Sequence, residues 1–330
     1  GKPGALHDYF RGTPEGRDPL SFLRDREPIR PEYRDRDARL QVLDEQGLEG
    51  CWMFPTLGMI YEELLKDDPE AVCWTFTAFN RWLADDWGFG GDDGRIIAAP
   101  YLTLADLDWA VAELEWALDA GARLLVMRPA APTTVLGRRS PFDESFDPFW
   151  ARVDEAGVTV VLHAGDGGAS ANGYASEGFA ADFKGGWKPS IKFFSIEQAI
   201  TDFLLSMLLE NLLVRFPNLR FASVENGAEF LPDLFRKARS VAKKVPGWFP
   251  EDPVETFRRS VWINPFWEDD VTKVVEWVGA DRVLFGSDWP HIEGMPAPLD
   301  YTAELAGLDD ATVRRVLHDN VLELSTPRPR

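Results

Sequence analysis

The chain has 330 residues and a formal net charge of −20 at pH 7, with 55 acidic against 35 basic side chains. This excess of negative charge argues against nucleic acid or an anionic membrane as a partner, because both require a basic face. The length suits a single α/β barrel, a fold that routinely takes about 250 residues or more in one domain.

Cysteine content and hydropathy define the expected compartment. The two cysteines, Cys51 and Cys73, do not form a disulfide framework, so we expect a reducing cytoplasm. The longest apolar run, at 203–216, is shorter than a membrane span of about 20 residues and contains Glu210. Residues 1–30 are polar and contain no apolar core of a signal peptide, which predicts an irregular leader.

From residue 30 onward, apolar stretches alternate with segments of helical period. A helix is predicted at 30–47, and strands are predicted at 51–56, 95–104, 122–129, 158–165, 219–227, 260–266 and 282–289. Further helices are predicted at 104–122, 147–157, 269–279 and 309–325. Apolar strands that alternate with helices indicate a parallel sheet covered by helices. Seven such strands favour a (β/α)8 TIM-like barrel over a doubly wound sheet, and neither GxGxxG nor GxxxxGK[ST] follows any of them.

A barrel closes with eight strands, and the sequence supplies seven. Because the first predicted helix precedes the first predicted strand, we expect the missing strand upstream of that helix, in a segment absent from this chain. Two long linkers, 129–146 and 164–190, directly follow strands and therefore belong to the C-terminal face. The second is rich in glycine, alanine and serine, which favours a lid loop over a disordered excursion. We interpret residues 1–330 as a single domain.

Polar side chains follow the predicted strands where they end. They are Arg128, His163, Glu225, Asn264 and Asp288. Because the carboxyl ends of parallel strands share one rim, these side chains should converge. An imidazole and two carboxylates can bind Zn²⁺, Mn²⁺ or Fe²⁺, or can act as general acids and bases. Each residue alone also has a structural explanation, as a helix cap or an ion-pair partner, but the joint pattern favours a functional site.

Two residues after the last strand extend this site. His291 lies three residues beyond Asp288, where it could transfer protons, donate a hydrogen bond to Asp288 or close the turn at Pro290. Aromatic residues are frequent near the predicted rim, among them Trp187, Phe266 and Trp289. This aromatic content favours a flat substrate.

Several longer segments resemble the amidohydrolase 2 branch of the amidohydrolase superfamily, which includes aminocarboxymuconate semialdehyde decarboxylase and related aromatic-acid decarboxylases. The likeness runs from about residue 35 to 325. The segments that carry it are DRDARLQVLDEQGLEGCWMFPT, FNRWLADDW, FDPFWARVDEAGVTVVLHAGD, LLVRFPNLRFASVENGAEFLP, VLFGSDWPH and RVLHDNVLELS. The resemblance implies a metal-dependent (β/α)8 barrel whose usual ligands are an HxH pair ending strand one, a histidine ending strand five, often a histidine at strand six, and an aspartate ending strand eight.

Two positions match this ligand pattern and two depart from it. By position, His163 is similar to the strand-five histidine and Asp288 to the strand-eight aspartate, which in the family also transfers protons. The HxH pair is not found, in agreement with the missing first strand. Glu225 stands where many members have a histidine, which implies a more oxygen-rich site.

The resemblance implies an enzyme that holds one divalent metal ion (Zn, Mn or Fe) through His163, Glu225 and Asp288. It would hydrolyse or non-oxidatively decarboxylate a small, aromatic or carboxylate-bearing substrate, with Asp288 and His163 as catalytic residues. Substrate contacts are predicted for Arg128, which could bind a carboxylate bidentately, and for His291, Asn264 and Trp289. The alternative is a degenerate, non-catalytic barrel that binds a ligand or serves in assembly; Glu225 favours it, and the retained His163 and Asp288 argue against it. We also expect a homo-oligomer, a dimer or larger.

Overall fold

The computed structural model describes residues 2–6, 27–55, 58–91, 93–165, 167–168 and 191–330. Its strands are β1 (Cys51–Met53), β2 (Ile96–Ala98), β3 (Leu124–Met127), β4 (Thr133–Thr134), β5 (Gly137–Arg138), β6 (Thr159–His163), β7 (Arg220–Val224) and β8 (Val261–Ile263). Its α-helices are α1 (Arg36–Glu45), α2 (Gly58–Leu64), α3 (Pro69–Asp86), α4 (Leu107–Asp119), α5 (Asp147–Ala156), α6 (Ser195–Leu209), α7 (Leu212–Arg215), α8 (Leu231–Lys244), α9 (Pro253–Ser260), α10 (Val271–Val278), α11 (Asp310–Arg314) and α12 (Asn320–Leu324). Most of the predicted leader, most of the predicted lid loop and Trp187 lie outside the described residues.

The main strands are parallel and lie side by side in chain order. β1 pairs with β2, and β3, β6, β7 and β8 form a second run in that order. Single parallel bridges extend the series, from Tyr101 to Val126 and from Ile263 to Val283. Helices separate these strands along the chain, so the order is that of a (β/α) barrel and the predicted fold class is confirmed. The strand expected upstream of α1 stays a prediction.

The last predicted strand, at 282–289, is much shorter than expected. Val283 bridges to Ile263, and the Leu284 N–H donates to the Ile263 carbonyl over 2.8 Å. The next amide, that of Phe285, donates instead to the Val316 carbonyl in a π-helical turn at Arg315–Asp319. The segment therefore leaves the sheet early and delivers Asp288 on an irregular turn.

Side chains along the strands alternate between two apolar clusters, as the period of two requires. The first cluster contains Leu124, Val126, Val161, Ala222, Trp262 and Leu284, and the second contains Leu125, Met127, Val160, Leu162, Phe221 and Ile263 together with residues of α4, α5, α6 and α8. The second face is therefore the one that the helices cover. Arg128, His163 and Asn264 continue the alternation of the first face, away from those helices, because each lies two residues beyond a member of the first cluster.

The helices begin at caps that can be identified in the sequence. Asp35 accepts a hydrogen bond from the Ala38 N–H at the start of α1, and Asp106 does the same for Trp109 at the start of α4. The predicted helices at 30–47, 104–122, 147–157 and 269–279 are found with shorter bounds. The predicted helices do not include α2, α3 or α6 to α9. Helices α2 and α3 lie one after the other between β1 and β2. No helix among the described residues is long and apolar enough to cross a bilayer.

The turn after β8 supplies a prediction of pH-dependent stability. Asp269 accepts a hydrogen bond from the Phe266 N–H over 2.9 Å, and burial raises the pKa of Asp269 to about 6. The folded state therefore binds this proton more tightly than the unfolded chain, so the stabilisation is present below about pH 4 and is lost as the pH rises through about 6. At each pH the unfolding free energy of Asp269→Asn is compared with that of the wild type. We expect this difference to shift in favour of the variant by about 2 kcal/mol as the pH rises from 4 to 8. Urea unfolding at both pH values measures it, and a difference that does not change with pH would contradict it.

Candidate active site

His163 ends β6 as a buried imidazole whose two ring nitrogens both lie near oxygen atoms. Nε2 is 2.8 Å from Glu225 Oε2, and Nδ1 is 3.0 Å from the Ala164 carbonyl oxygen. Burial opposes the charged form, but the negative charge and hydrogen bond of Glu225 raise the pKa of His163 above its usual value. The ring of Phe54, at the end of β1, lies 5.4 Å away between centroids. The predicted approach of His163 to Glu225 is therefore present in the structure.

Glu225 follows β7 on a left-handed backbone, with φ of 60°. The buried amide of Asn226 holds this turn, because its Nδ2 donates to the Leu162 and Val224 carbonyls at the ends of β6 and β7 over 2.8 and 2.9 Å. Burial alone would raise the pKa of Glu225, but the neighbouring His163, and then His291, lower it well below its usual range. Glu225 is therefore an ionised acceptor between two imidazoles.

Asp288 and His291 form the second part of the site, on the turn after Val283. Asp288 also has a left-handed backbone, with φ of 52°, and its Oδ1 lies 3.0 Å from His291 Nδ1. Partial burial, and then the charge of Glu225, raise the pKa of Asp288 to about 7. Burial would lower the pKa of His291, but its contacts with Asp288 and Glu225 raise it to about 11. Asp288 is therefore the member of the pair that can gain or lose a proton near neutral pH.

Four side chains near this turn form a group with the donor atoms of a metal site. Ligand atoms of Glu225, Asp288, His291 and Glu293 all lie within 4.8 Å of one another. Carboxylate oxygens with an imidazole nitrogen suit a divalent ion such as Mn²⁺, Fe²⁺ or Zn²⁺. Next to Glu225 in the chain, the buried Asn226 Oδ1 accepts no hydrogen bond within the described structure. The residues therefore fit a metal ion.

The membership of this group differs from the predicted ligand set. Two of the predicted ligands, Glu225 and Asp288, belong to it, and their role as ligands stays a prediction. Among the described residues, His163 touches the group through its contact with Glu225. His291 was assigned to substrate binding and lies inside the group. Glu293 was missed, because it lies in the irregular stretch after His291, where no strand periodicity points to a shared rim.

Arg128 lies on the same rim but is paired with protein carboxylates. Its Nη1 is 2.8 Å from Glu63 Oε2, and its Nε is 3.2 Å from Glu62 Oε2. Arg138, from the β4–β5 hairpin, also reaches Glu63, at 2.7 Å. Both glutamates belong to α2 and are buried. Burial opposes the charged guanidinium, but Glu62 and Glu63 hold the pKa of Arg128 above its usual value. Substrate binding by Arg128 stays a prediction, while its visible role is to anchor α2 on the rim.

This network predicts a large effect on stability. Arg128→Met leaves Glu62 and Glu63 buried with less compensating charge, and we expect a loss of about 3–5 kcal/mol of unfolding free energy. Adding Glu62→Gln in the same background should recover part of the loss, because Arg128 is the cation that pairs with Glu62 among the described residues, whereas Glu63 keeps Arg138 and Lys66. Urea unfolding of both variants measures the effect; a loss under about 1 kcal/mol would mean that the network contributes no more than an exposed ion pair.

The two remaining predicted substrate contacts have clear places in the structure. Asn264 Nδ2 lies 3.2 Å from the Pro265 carbonyl oxygen and 3.3 Å from that of Leu284. A Cβ at Gly286 would lie only 2.8 Å from this nitrogen, so the two positions are closely packed. Trp289 packs against α1 and the turn before it, with its ring 5.8 Å from Tyr33 and 4.4 Å from the Arg39 guanidinium. Substrate contact by Asn264 or Trp289 stays a prediction.

Sequence comparison places this barrel in a known family. A family model described as amidohydrolase matches residues 31–324, which is most of the chain. The chain belongs to this amidohydrolase family, as its sequence segments predicted. It is therefore an enzyme of the metal-dependent hydrolase or carboxy-lyase type rather than the non-catalytic barrel of the alternative. The comparison with curated proteins gives no match.

Solved structures support the same conclusion. An amidohydrolase from Mycobacterium avium subsp. paratuberculosis K-10 is 42% identical, with a TM-score of 0.91 over 98% of this chain and 84% of that one. A dihydroxybenzoic acid decarboxylase from Polaromonas sp. JS666, with bound manganese and the inhibitor 2-nitroresorcinol, is 18% identical (TM-score 0.68; 98% of this chain, 93% of that one). A mutant 5-carboxyvanillate decarboxylase from Novosphingobium aromaticivorans DSM 12444, with bound manganese and 3-methoxy-4-hydroxy-5-nitrobenzoic acid, is 15% identical (TM-score 0.68; 98% and 89%). The two decarboxylases share the fold of this chain.

Proposed function

We propose that this chain is a metal-dependent carboxy-lyase that releases CO₂ from a small aromatic carboxylate. The observation that carries the proposal is the place of Asp288, whose Oδ1 lies 3.0 Å from His291 Nδ1 inside a group of metal-donor atoms, where burial and then Glu225 raise its pKa to about 7. Non-oxidative decarboxylation requires an acid that protonates the carbon losing CO₂, and a group that is partly protonated at pH 7 can serve as that acid.

The metal ion would be held by Glu225, Asp288 and His291, with Glu293 close enough to complete the set. Manganese is the metal named in two structures of the same fold, and the oxygen-rich donors suit it. Such an ion supplies Lewis-acid polarisation of a substrate oxygen. His163 is placed one contact further out, where it donates to Glu225 and fixes the position of that carboxylate.

Proton transfer is the task that this chain's own residues perform. Protonated Asp288 donates to the ring carbon that bears the carboxylate, the bond to that carboxylate breaks, and CO₂ leaves. The Asp288 carboxylate then takes up a proton from solvent for the next cycle, while His291 Nδ1, 3.0 Å from Oδ1, keeps that carboxylate in position. The ring of Phe54 beside His163 provides a flat apolar surface that suits an aromatic substrate.

The test is metal-dependent CO₂ release by the purified full chain. The metal is removed by dialysis against a chelator, counted by elemental analysis, and restored as Mn²⁺, Zn²⁺ or Fe²⁺ separately. Dihydroxybenzoates and 5-carboxyvanillate, the substrates named for the two decarboxylases, form the first panel. We expect turnover of at least one aromatic carboxylate that disappears with the metal and returns with it. Turnover that persists in metal-free protein would contradict the metal requirement.

Hydrolysis is the second candidate, since the 42%-identical structure is called an amidohydrolase and Asp288 can equally accept a proton. A panel of aryl amides and esters, assayed under the same metal conditions, separates the two reactions. Cleavage of this panel without CO₂ release would favour the hydrolase.

We also infer a homo-oligomer in solution. Trp74 and Trp82 lie two turns apart on α3, and 67% and 47% of their surfaces are exposed. Light scattering of the purified chain measures its mass, and a monomer at micromolar concentration would contradict this expectation.

A further inference from the structure

Arg39 is an arginine of α1 that lies almost completely buried, with 6% of its surface exposed. Its Nε donates to the Glu32 carbonyl over 2.9 Å, and its guanidinium lies 4.4 Å from the ring centroid of Trp289 and 6.0 Å from that of Trp87. Within the described residues it makes no ion pair with a carboxylate. Among the described residues, the contact with the Trp289 ring and the hydrogen bond to Glu32 are the interactions that offset its burial.

The ring on which Arg39 stacks belongs to the turn that carries Asp288. Trp289 directly follows Asp288, and Tyr33 packs edge-on against the same ring at 5.8 Å between centroids. The turn itself has few internal bonds, chiefly His291 N–H to the Asp288 carbonyl over 2.8 Å and Met295 N–H to the Ser287 carbonyl over 2.8 Å. Because regular strand pairing ends at Val283 and Leu284, the place of the turn depends on contacts with other segments. Arg39 and Tyr33 contact it at Trp289, and the Leu6 N–H donates to the Ile292 carbonyl over 3.0 Å.

We propose that Arg39 is a positioning residue of the active site. It holds the ring of Trp289 and thereby sets the direction from which Asp288 and His291 enter the site. The planar guanidinium suits this role, because such a group can present its face to an aromatic ring while an N–H at its edge donates to the Glu32 carbonyl. The consequence for catalysis rests on the proposed function; the effect on the turn does not.

The test compares Arg39→Met with the wild type by hydrogen exchange and by Mn²⁺ titration. Exchange is followed by mass spectrometry in peptides that cover residues 286–296 and, as an internal reference, β6. We expect exchange at His291 and Met295 to rise about tenfold while β6 stays unchanged, because local opening becomes easier only in the turn. We also expect Mn²⁺ to bind about tenfold more weakly, as it does when a residue that orients a ligand is removed.

Arg282→Met is the matched control. Arg282 also stacks on a tryptophan at 4.4 Å, that of Trp262, and its Nε also donates to a backbone carbonyl, that of Arg258. It lies at the other end of the 283–288 segment, so this variant should leave exchange at His291 and Met295 and the affinity for Mn²⁺ unchanged. If Arg39→Met does not fold, Arg39→Lys takes its place under the same criteria, since it keeps the charge but lacks the planar group.

The outcomes separate this inference from the proposed function. A local rise in amide exchange together with weaker Mn²⁺ binding supports the positioning role of Arg39 and the metal site of the proposed function. A local rise with unchanged Mn²⁺ binding supports the role of Arg39 and contradicts the metal role of Asp288 and His291. No change in the turn, or an equal rise throughout the chain, overturns the inference, because a purely structural arginine would behave in that way.

Discussion

Asp288→Asn should lower kcat by about 10³-fold, the size of contribution that a general acid or base makes, while the fold is kept. The amide has nearly the same shape as the carboxylate and can still accept from His291, but it has no proton to give or take near pH 7. A smaller change is expected in KM, because the lost interaction belongs to the transition state. Steady-state kinetics with the best substrate measures both parameters, and circular dichroism checks the fold.

The control for this variant is Asp281→Asn, on an exposed aspartate at the start of the same segment. Its kcat should stay within about twofold of the wild type, in line with the small effects of surface substitutions away from special features. Metal content is counted for both variants, so that a lost ion is not mistaken for a lost proton donor. A well-folded, metal-replete Asp288→Asn enzyme with near-normal kcat would contradict the role of Asp288 as the proton donor.

Glu225→Ala should lower the affinity for Mn²⁺ by about 10- to 100-fold. The carboxylate belongs to the group of donor atoms and also accepts from His163 at 2.8 Å, so its removal takes away a ligand and releases the imidazole. Elemental analysis after dialysis and titration with Mn²⁺ measure the change. Glu225→Gln keeps the length of the side chain and one acceptor oxygen, so its affinity for Mn²⁺ is expected to lie between that of Glu225→Ala and that of the wild type.

Glu229→Ala is the matched control, because Glu229 is an exposed glutamate four residues further along the same loop. It should bind Mn²⁺ as the wild type does. If Glu225→Ala also retained its full metal content, Glu225 would be a partner of His163 rather than a ligand, and the metal site would have to be sought around Asp288, His291 and Glu293.

The strand ends were the part of the site that sequence could predict. A parallel strand followed by a polar residue has a fixed place on the rim, so the approach of His163 to Glu225 and the nearness of Glu225 to Asp288 follow from periodicity and topology together. The same reasoning predicts the order of the strands in the barrel, because few sheet topologies are possible when strands alternate with helices along the chain. These predictions needed no knowledge of side-chain packing.

The remaining features depend on contacts between distant segments. Arg128 pairs with Glu62 and Glu63 on α2. Because the sequence does not predict this helix, it also could not predict that protein carboxylates neutralise the charge of Arg128. Arg39 and Trp289 are separated by 250 positions and share no motif. Glu293 lies on irregular backbone, where the direction of a side chain is set by the turn and not by a period.

The left-handed backbone at Glu225 and Asp288 restricts how this site can change during evolution. Among residues other than glycine, Asn, Asp and His are the ones enriched in that conformation, whereas β-branched side chains are strongly disfavoured there. A histidine therefore suits the backbone at position 225 at least as well as the glutamate that stands there. Descendants of one barrel can in this way alternate between an oxygen and a nitrogen donor by a single substitution, and so retune metal preference while the scaffold stays constant.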